Sequence, residues 1–355
     1  MGEFMDFDAQ ALPTLIGSLP HKDHTEATKM VLKYTPEIPL WVQLPCYPQE
    51  RLLSQFAENL PGIKGWPDSP YFDVSQPDFD GQLHSFFEEY LECTEGGKPL
   101  GQSVFAFSDL TGKGLKVLIE MVKESEKRPY ALKGQITGPF TMLTGLKDEQ
   151  DKMAFFNPLL REAVVKGLSL KARYQIEQMQ SVHPRTLLFL DEPALAGFGS
   201  SQMVSIQKKE VVQDITEVID AIHEAGGLAG IHVCANTDWS LVLEAPVDVL
   251  SFDAYGYFDR ILLFREALIH FIKNGGIMAW GLVPTLNDAD LGKEDVASLL
   301  SRWQECKKSM QLDDDFLLNH SLITPSCGTG LLSMELAEKA LRLTRELSDA
   351  IRGQT

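Results

Sequence analysis

The chain has 355 residues, 50 acidic against 32 basic, and a net charge of −18 at neutral pH. That acidic balance argues against nucleic acid or anionic lipid as a partner, since both require a basic stripe. With 44% hydrophobic and 23% charged residues it can bury a large core, and it has no run of about 18 apolar residues that could span a bilayer. The start, MGEFMDFDAQ, has no basic stretch leading into an apolar one, so no secretory signal is visible; residues 1–4 read as a cloning remnant before a start at Met5. Five cysteines (Cys46, Cys93, Cys234, Cys306 and Cys327) are odd in number and widely spread. They make no disulfide framework and point to a reducing cytoplasm.

After a tail of residues 1–12, short apolar runs alternate with longer helical patterns. Strands are expected at 14–18, 40–45, 131–135, 186–191, 228–234, 247–253, 277–283 and 321–325. Amphipathic segments lie between most of them, such as 210–224, with Val211, Ile215, Val218, Ile219 and Ile222 on one face. Others are 258–273, 293–308 and the closing 333–351. Continuous apolar strands alternating with helices mean a parallel sheet covered on its outside. Eight such units predict a single (β/α)₈ barrel over 13–355. An open doubly wound sheet would carry a G-x-G-x-x-G turn after an early strand, and none is there. Residues 48–128 exceed one crossover helix. They include Pro61, Pro67, Pro70 and Pro77, helical patterns at 81–93 and 114–125 and an apolar run at 103–107, and read as an inserted lid or side hairpin.

Polar residues gather at the expected C-terminal strand ends: Ser18, Gln43, Gln135, Asp191, His232, Cys234, Asp253 and Cys327. Barrel enzymes build their sites there. The sharpest pattern is G-I-H-V-C at 230–234. Residues two apart on a strand share a face, so His232 and Cys234 aim at one point. Cys327, in T-P-S-C-G-T-G after the last strand, would rise at the same mouth. Two thiolates and an imidazole suit one zinc ion and leave a fourth position for substrate or a weaker ligand, which Asp253 is placed to be. The alternatives are a buried cysteine beside a satisfied histidine, a redox pair, and a loop-capping role for Asp253. His21 and His24 are expected at the surface, with His21 near the mouth. Tyr255 and Tyr257 either line the site or pack on the rim. Trp41 and Trp280 are expected in the core, Cys46 near the mouth, and 313–315 in a solvated turn.

Five segments in order, T-L-I-G-S-L-P (14–20), I-T-G-P-F-T-M-L (136–143), L-D-E-P-A-L (190–195), I-H-V-C (231–234) and P-S-C-G (325–328), carry a resemblance. The chain resembles the catalytic domain of cobalamin-independent methionine synthase, within the uroporphyrinogen-decarboxylase superfamily. The resemblance implies a zinc-dependent methyltransferase whose metal is held by His232, Cys234 and Cys327, with Asp253 standing where the family has a glutamate. It implies that Ile16, Gly17 and Ser18 bind homocysteine and that Asp191 contacts its amine. Zinc coordination makes a thiol into a thiolate at neutral pH, and the thiolate attacks the methyl group.

Two departures bear on the methyl donor. Full-length members of the family carry a second, N-terminal barrel that this chain lacks. In W-G-L-V-P-T-L-N-D (280–288), Asn287 is the nearest match to a proton-donating histidine, and an amide shuttles no proton. A folate leaving group needs that proton and a Co(I) corrinoid does not, which favours a methylated corrinoid, free or protein-bound, over methyltetrahydrofolate. The alternatives are a coenzyme-M-like thiol acceptor, a metal-free porphyrinogen-type decarboxylase, and a non-catalytic binding barrel.

Overall fold

The computed structural model describes residues 7–353; the inferred start at Met5 and residues 1–4 lie outside them. Nine strands are present among the described residues: β1 (Leu12–Pro13), β2 (Ile63–Lys64), β3 (Tyr71–Phe72), β4 (Leu132–Thr137), β5 (Thr186–Asp191), β6 (Leu228–Val233), β7 (Val249–Phe252), β8 (Ile277–Val283) and β9 (Ser321–Pro325). Seven form one parallel sheet in the order β1-β9-β8-β7-β6-β5-β4. The gap between β4 and β1 is filled by residues 40–43, which bridge Lys133 through Leu40 and Ser18 through Gln43. The result is a TIM-barrel-like ring with helices outside.

The first two staves are less regular than expected. Regular pairing of the first covers only Leu12–Pro13, across the end of the expected tail, and 14–18 rejoins the ring at Thr14 and Ser18. The second carries Pro39 and Pro45 at its flanks, which donate no hydrogen bond, so its pairing is confined to isolated bridges. The expected segment 258–273 is two helices, Ala254–Ile261 and Arg265–Lys273. The run at 313–315 is solvated as expected but starts a helix rather than a turn: Asp313 caps the helix Asp314–Asn319 by accepting from Phe316 N at 3.0 Å.

Residues 48–128 hold the β2–β3 hairpin and the helices Phe79–Thr94 and Lys113–Glu124. The apolar run at 103–107 makes no strand; Phe105 packs edge-on to Phe86, and Phe107 packs on Trp41 and Tyr174 of the barrel wall. Its opening turns reach the mouth, where Thr137 Oγ1 donates to Leu52 O and Gln43 Nε2 to Gln55 Oε1.

The barrel interior is layered. Ala131, Leu187, Phe189, Val249, Ile277, Ala279 and Leu322 form an apolar plug. Two residues further along the same inward faces come Asp191 above Phe189 and Ser251 above Val249. Gly230 leaves room for the plug, since a Cβ there would lie 2.3 Å from the Phe189 ring, and His232 stands above it. The apolar-to-polar switch along three adjacent strands sets the floor of the site.

Two of the sequence segments interlock at the rim. Glu192, fully buried, accepts from Phe140 N (2.9 Å), Thr141 N (2.8 Å) and Thr141 Oγ1 (2.6 Å), so a carboxylate from the loop after β5 caps the helix Pro139–Gly145 after β4. Burial pushes its pKa up to about 7 against those three donors. A Cβ on Gly138 would sit 2.2 Å from Glu192 Oε1. Gly138→Ala is therefore expected to destabilise the protein by about 1–3 kcal/mol, the usual cost of overpacking, read as a lower urea midpoint with an unchanged slope.

Candidate metal centre

His232, Cys234 and Cys327 come together at the mouth, one ligand atom from each lying within 4.8 Å of the others. His232 is buried, and its Nδ1 is 2.9 Å from Ser251 Oγ on the neighbouring strand, its register partner. Its Nε2 is also buried and has no hydrogen-bond partner. In the tautomer in which Nδ1 donates to Ser251, Nε2 presents a bare lone pair toward two sulfurs. A histidine oriented through one nitrogen with the other free is a metal-ligand arrangement, and the donor set is the one zinc prefers.

The sulfurs act on each other. The Cys327 thiol donates to Cys234 and holds the Cys234 thiol well below its ordinary pKa despite burial. Cys327 is pushed correspondingly up. The pair thus loses one proton readily and keeps the second.

Cys327 has no strand to hold it, and two loops do so instead. Thr285, after β8, accepts from Cys327 N through Oγ1 at 2.9 Å and donates to Cys327 O at 3.0 Å. On the other side Ser18 O accepts from Thr329 N (2.9 Å) and Thr329 Oγ1 (3.1 Å), and Ser18 Oγ accepts from Gly330 N. Gly328 is pressed onto the same serine, its Cβ position 2.3 Å from Ser18 Oγ. The first and last segments singled out in the sequence therefore meet in space.

The other candidates are distributed as follows. Asp191 is buried beside the trio with Oδ1 lacking a partner; burial raises its pKa, and His232 and Lys133 oppose the rise. Ile16 and Gly17 are in the wall, where Gly17 O accepts from Gln43 N and a Gly17 Cβ would lie 2.6 Å from Gln43 Oε1. Gln135 donates to Trp41 O, and its buried Oε1 has no partner. Asp253 lies outside the 4.8 Å trio; it caps the helix Ala254–Ile261, accepting from Gly256 N at 2.7 Å, and burial lifts its pKa to about 6. Tyr255 packs on the rim, donating to Glu294 at 2.8 Å under the Arg302 guanidinium. Asn287 is exposed and caps the helix Asp288–Lys293 through Ala289 N. Trp41 and Trp280 are buried as expected, and Cys46 is exposed, donating to His21 O.

The two early histidines are not at the surface. His24 is 2% exposed, 2.7 Å from Glu50 Oε1 and stacked on Tyr47; His21 is 8% exposed with Nδ1 unpartnered. Residues 47–50 fold back over them, which nothing local in the sequence announces. Sequence reasoning also passed over Ser251, Thr285, Glu192 and Lys133. For Ser251 a signal existed in its spacing, two residues before Asp253 on an inward face.

Compared by sequence, the chain matches no protein-family model and none of the curated proteins. By structure it is similar to a B12-independent methionine synthase from Shewanella sp. W3-18-1 in complex with selenomethionine, at 14% identity and a TM-score of 0.60, over 97% of this chain and 98% of that one. It is also similar to a methyltransferase from Methanosarcina mazei, at 11% identity and a TM-score of 0.56, over 93% and 84%. Both likenesses are of fold.

The proton shared by the two sulfurs gives a direct expectation. In metal-free protein, Cys234 should be alkylated by iodoacetamide with an apparent pKa well below the ordinary value of about 8.5. Cys327→Ala removes the S–H donor and should move that pKa upward. The pH–rate profile of Cys234 modification, followed by mass spectrometry, checks both.

Proposed function

We propose that the protein is a zinc-dependent S-methyltransferase whose acceptor is a small amino-acid thiol, homocysteine, giving methionine. The observation that carries this is the buried, unpartnered Nε2 of His232 facing the sulfurs of Cys234 and Cys327. A buried polar atom left unpaired costs about 1–3 kcal/mol, and a cation among three ligands of this type removes that cost. His232, Cys234 and Cys327 would hold the zinc, and zinc bound there supplies the acceptor thiol as a thiolate at neutral pH.

The protein's own groups define the acceptor. The free Oδ1 of Asp191 is available to an ammonium group by a charge-assisted hydrogen bond. Residues 16–18 form the wall beside the Cys327 loop, and the apolar plug beneath keeps water from entering from below. A metal-free decarboxylase leaves the His232 nitrogen and the paired sulfurs without a task. The Shewanella protein's selenomethionine complex supports an amino-acid pocket in this fold.

On the donor side, Asn287 is spent on its own helix and offers no proton, which favours a methylated corrinoid. The B12-independent neighbour favours a folate-type donor. Methyl transfer to homocysteine assayed side by side with methylcobalamin and methyltetrahydrofolate decides between them. No methionine from either donor counts against the proposal.

Metal content tests the centre itself. Wild-type protein should carry about one zinc per chain, and Cys234→Ser and Cys327→Ser should lose it while melting close to the wild type. Ser251→Ala should keep the fold and weaken zinc binding by about 10–100-fold, measured by chelator competition. Unchanged metal content in both cysteine variants overturns the metal assignment. Asp191→Asn should raise the homocysteine KM by about 10–100-fold, the worth of one hydrogen bond to a charged group. The same variant should barely change the KM for the thiol lacking the amine.

A further inference from the structure

Resting on the acceptor site proposed above, we infer that Lys133 is its positioning residue: a buried ammonium beneath the pocket that ties down the Ile16 carbonyl and so fixes residues 16–18 against the Cys327 loop. Lys133 is fully buried, on the inward face of β4 between Ala131 and Gln135. Its Nζ crosses the barrel and donates to Ile16 O at 2.7 Å, lying 4.3 Å from the centroid of the Phe189 ring.

Burying an ammonium is unfavourable unless it does something an apolar side chain cannot. Apart from the Asp191 carboxylate, which favours its charge from the next level up, the level it occupies is apolar, and methionine or leucine would fill the space more cheaply. What the ammonium adds is a grip on one carbonyl in a segment that has little regular sheet pairing of its own. Residues 16–18 join the ring only through Gly17, Ser18 and Leu19 against Gln43.

A shift at Ile16 would be passed on. Gly17 has no slack, since even a Cβ would collide with Gln43. One residue later, Ser18 receives Thr329 N, Thr329 Oγ1 and Gly330 N from the loop that begins at Cys327. The lysine thus braces the pocket wall and, through Ser18, the far side of the loop bearing the third ligand. It touches neither substrate nor metal.

A second buried lysine supplies the control. Lys171, on the outer helix Pro158–Gln180, is also almost fully buried, with Nζ unpartnered and 5.7 Å from the Phe107 ring centroid. Removing it tests the generic effect of deleting a buried charge, away from residues 16–18.

The test compares Lys133→Met with Lys171→Met in the full-length chain. In cobalt(II)-loaded protein, L-homocysteine binding is read from the cobalt–sulfur charge-transfer bands. Lys133→Met should weaken it by about tenfold or more, as expected for a lost hydrogen bond to a charged donor. Lys171→Met should stay within about twofold, as a distant independent site. In metal-free protein, hydrogen exchange over residues 14–20 should quicken in Lys133→Met and not in Lys171→Met. Wild-type homocysteine affinity in Lys133→Met, or unchanged exchange over 14–20, overturns the inference. If Lys133→Met does not fold, Phe189→Leu, which removes the ring against the ammonium but keeps the lysine, must weaken binding and quicken exchange in the same direction. An unchanged Phe189→Leu then overturns it. If wild-type protein shows no response to homocysteine, the acceptor proposal fails, and the exchange comparison still decides whether Lys133 holds the segment.

Discussion

A histidine nitrogen buried without a partner is the constraint around which the mouth of this barrel is arranged. Leaving such an atom unsatisfied opposes folding, so its neighbours must either fill it or have a reason not to. Ser251 occupies the other ring nitrogen and fixes the ring plane. Thr285 and Ser18, from loops far apart in sequence, hold the segment that brings Cys327 to the same point. None of these contacts satisfies Nε2; each keeps the space in front of it open and ringed by soft donors.

The barrel supplies that arrangement by a change of chemistry along three adjacent strands. Phe189, Gly230 and Val249 lie at the level of the plug, and Asp191, His232 and Ser251 stand two residues further on. The period of two then puts every one of them on the inside. The glycine is what allows a phenylalanine into so narrow a ring, and the phenylalanine in turn lies against the Lys133 ammonium. Floor and site are therefore coupled. A substitution in the plug changes the seat of Lys133 before it changes any residue that faces a ligand.

How far the sequence disclosed this depended on whether the signal was local. Strands β5 to β9 were legible because each is a short apolar run set between helical patterns, and the His232, Cys234 and Cys327 cluster followed from strand period and barrel convergence. The early staves were harder, because prolines remove donors and leave pairing to scattered bridges that no hydrophobic pattern encodes. His24 reads as a surface residue because its cover, Tyr47 and Glu50, arrives from more than twenty residues away. Thr285 was invisible for a different reason, and Ser251 carried only its spacing from Asp253. A lone hydroxyl in a strand or loop is common, and only register reveals what it holds. Lys133 ran against the pattern altogether, a charge in a strand buried on every side.

The two halves of the proposed transfer make unequal demands on the fold. Lowering a thiol's pKa and selecting an ammonium both require buried, pre-oriented groups, and the structure concentrates those on the acceptor side. Expelling a poor leaving group would require a proton held at a stated atom near the mouth. The residue at the corresponding position, Asn287, is exposed and has its side-chain oxygen committed to Ala289 N. On the proposed reading, a protein with this distribution of buried chemistry would activate the nucleophile and leave the lability of the methyl group to the donor. A methylated corrinoid meets that condition unaided, because Co(I) departs without a proton. A folate donor would have to find its acid elsewhere in the mouth, where Asp253, raised in pKa by burial, is a carboxyl that could hold one.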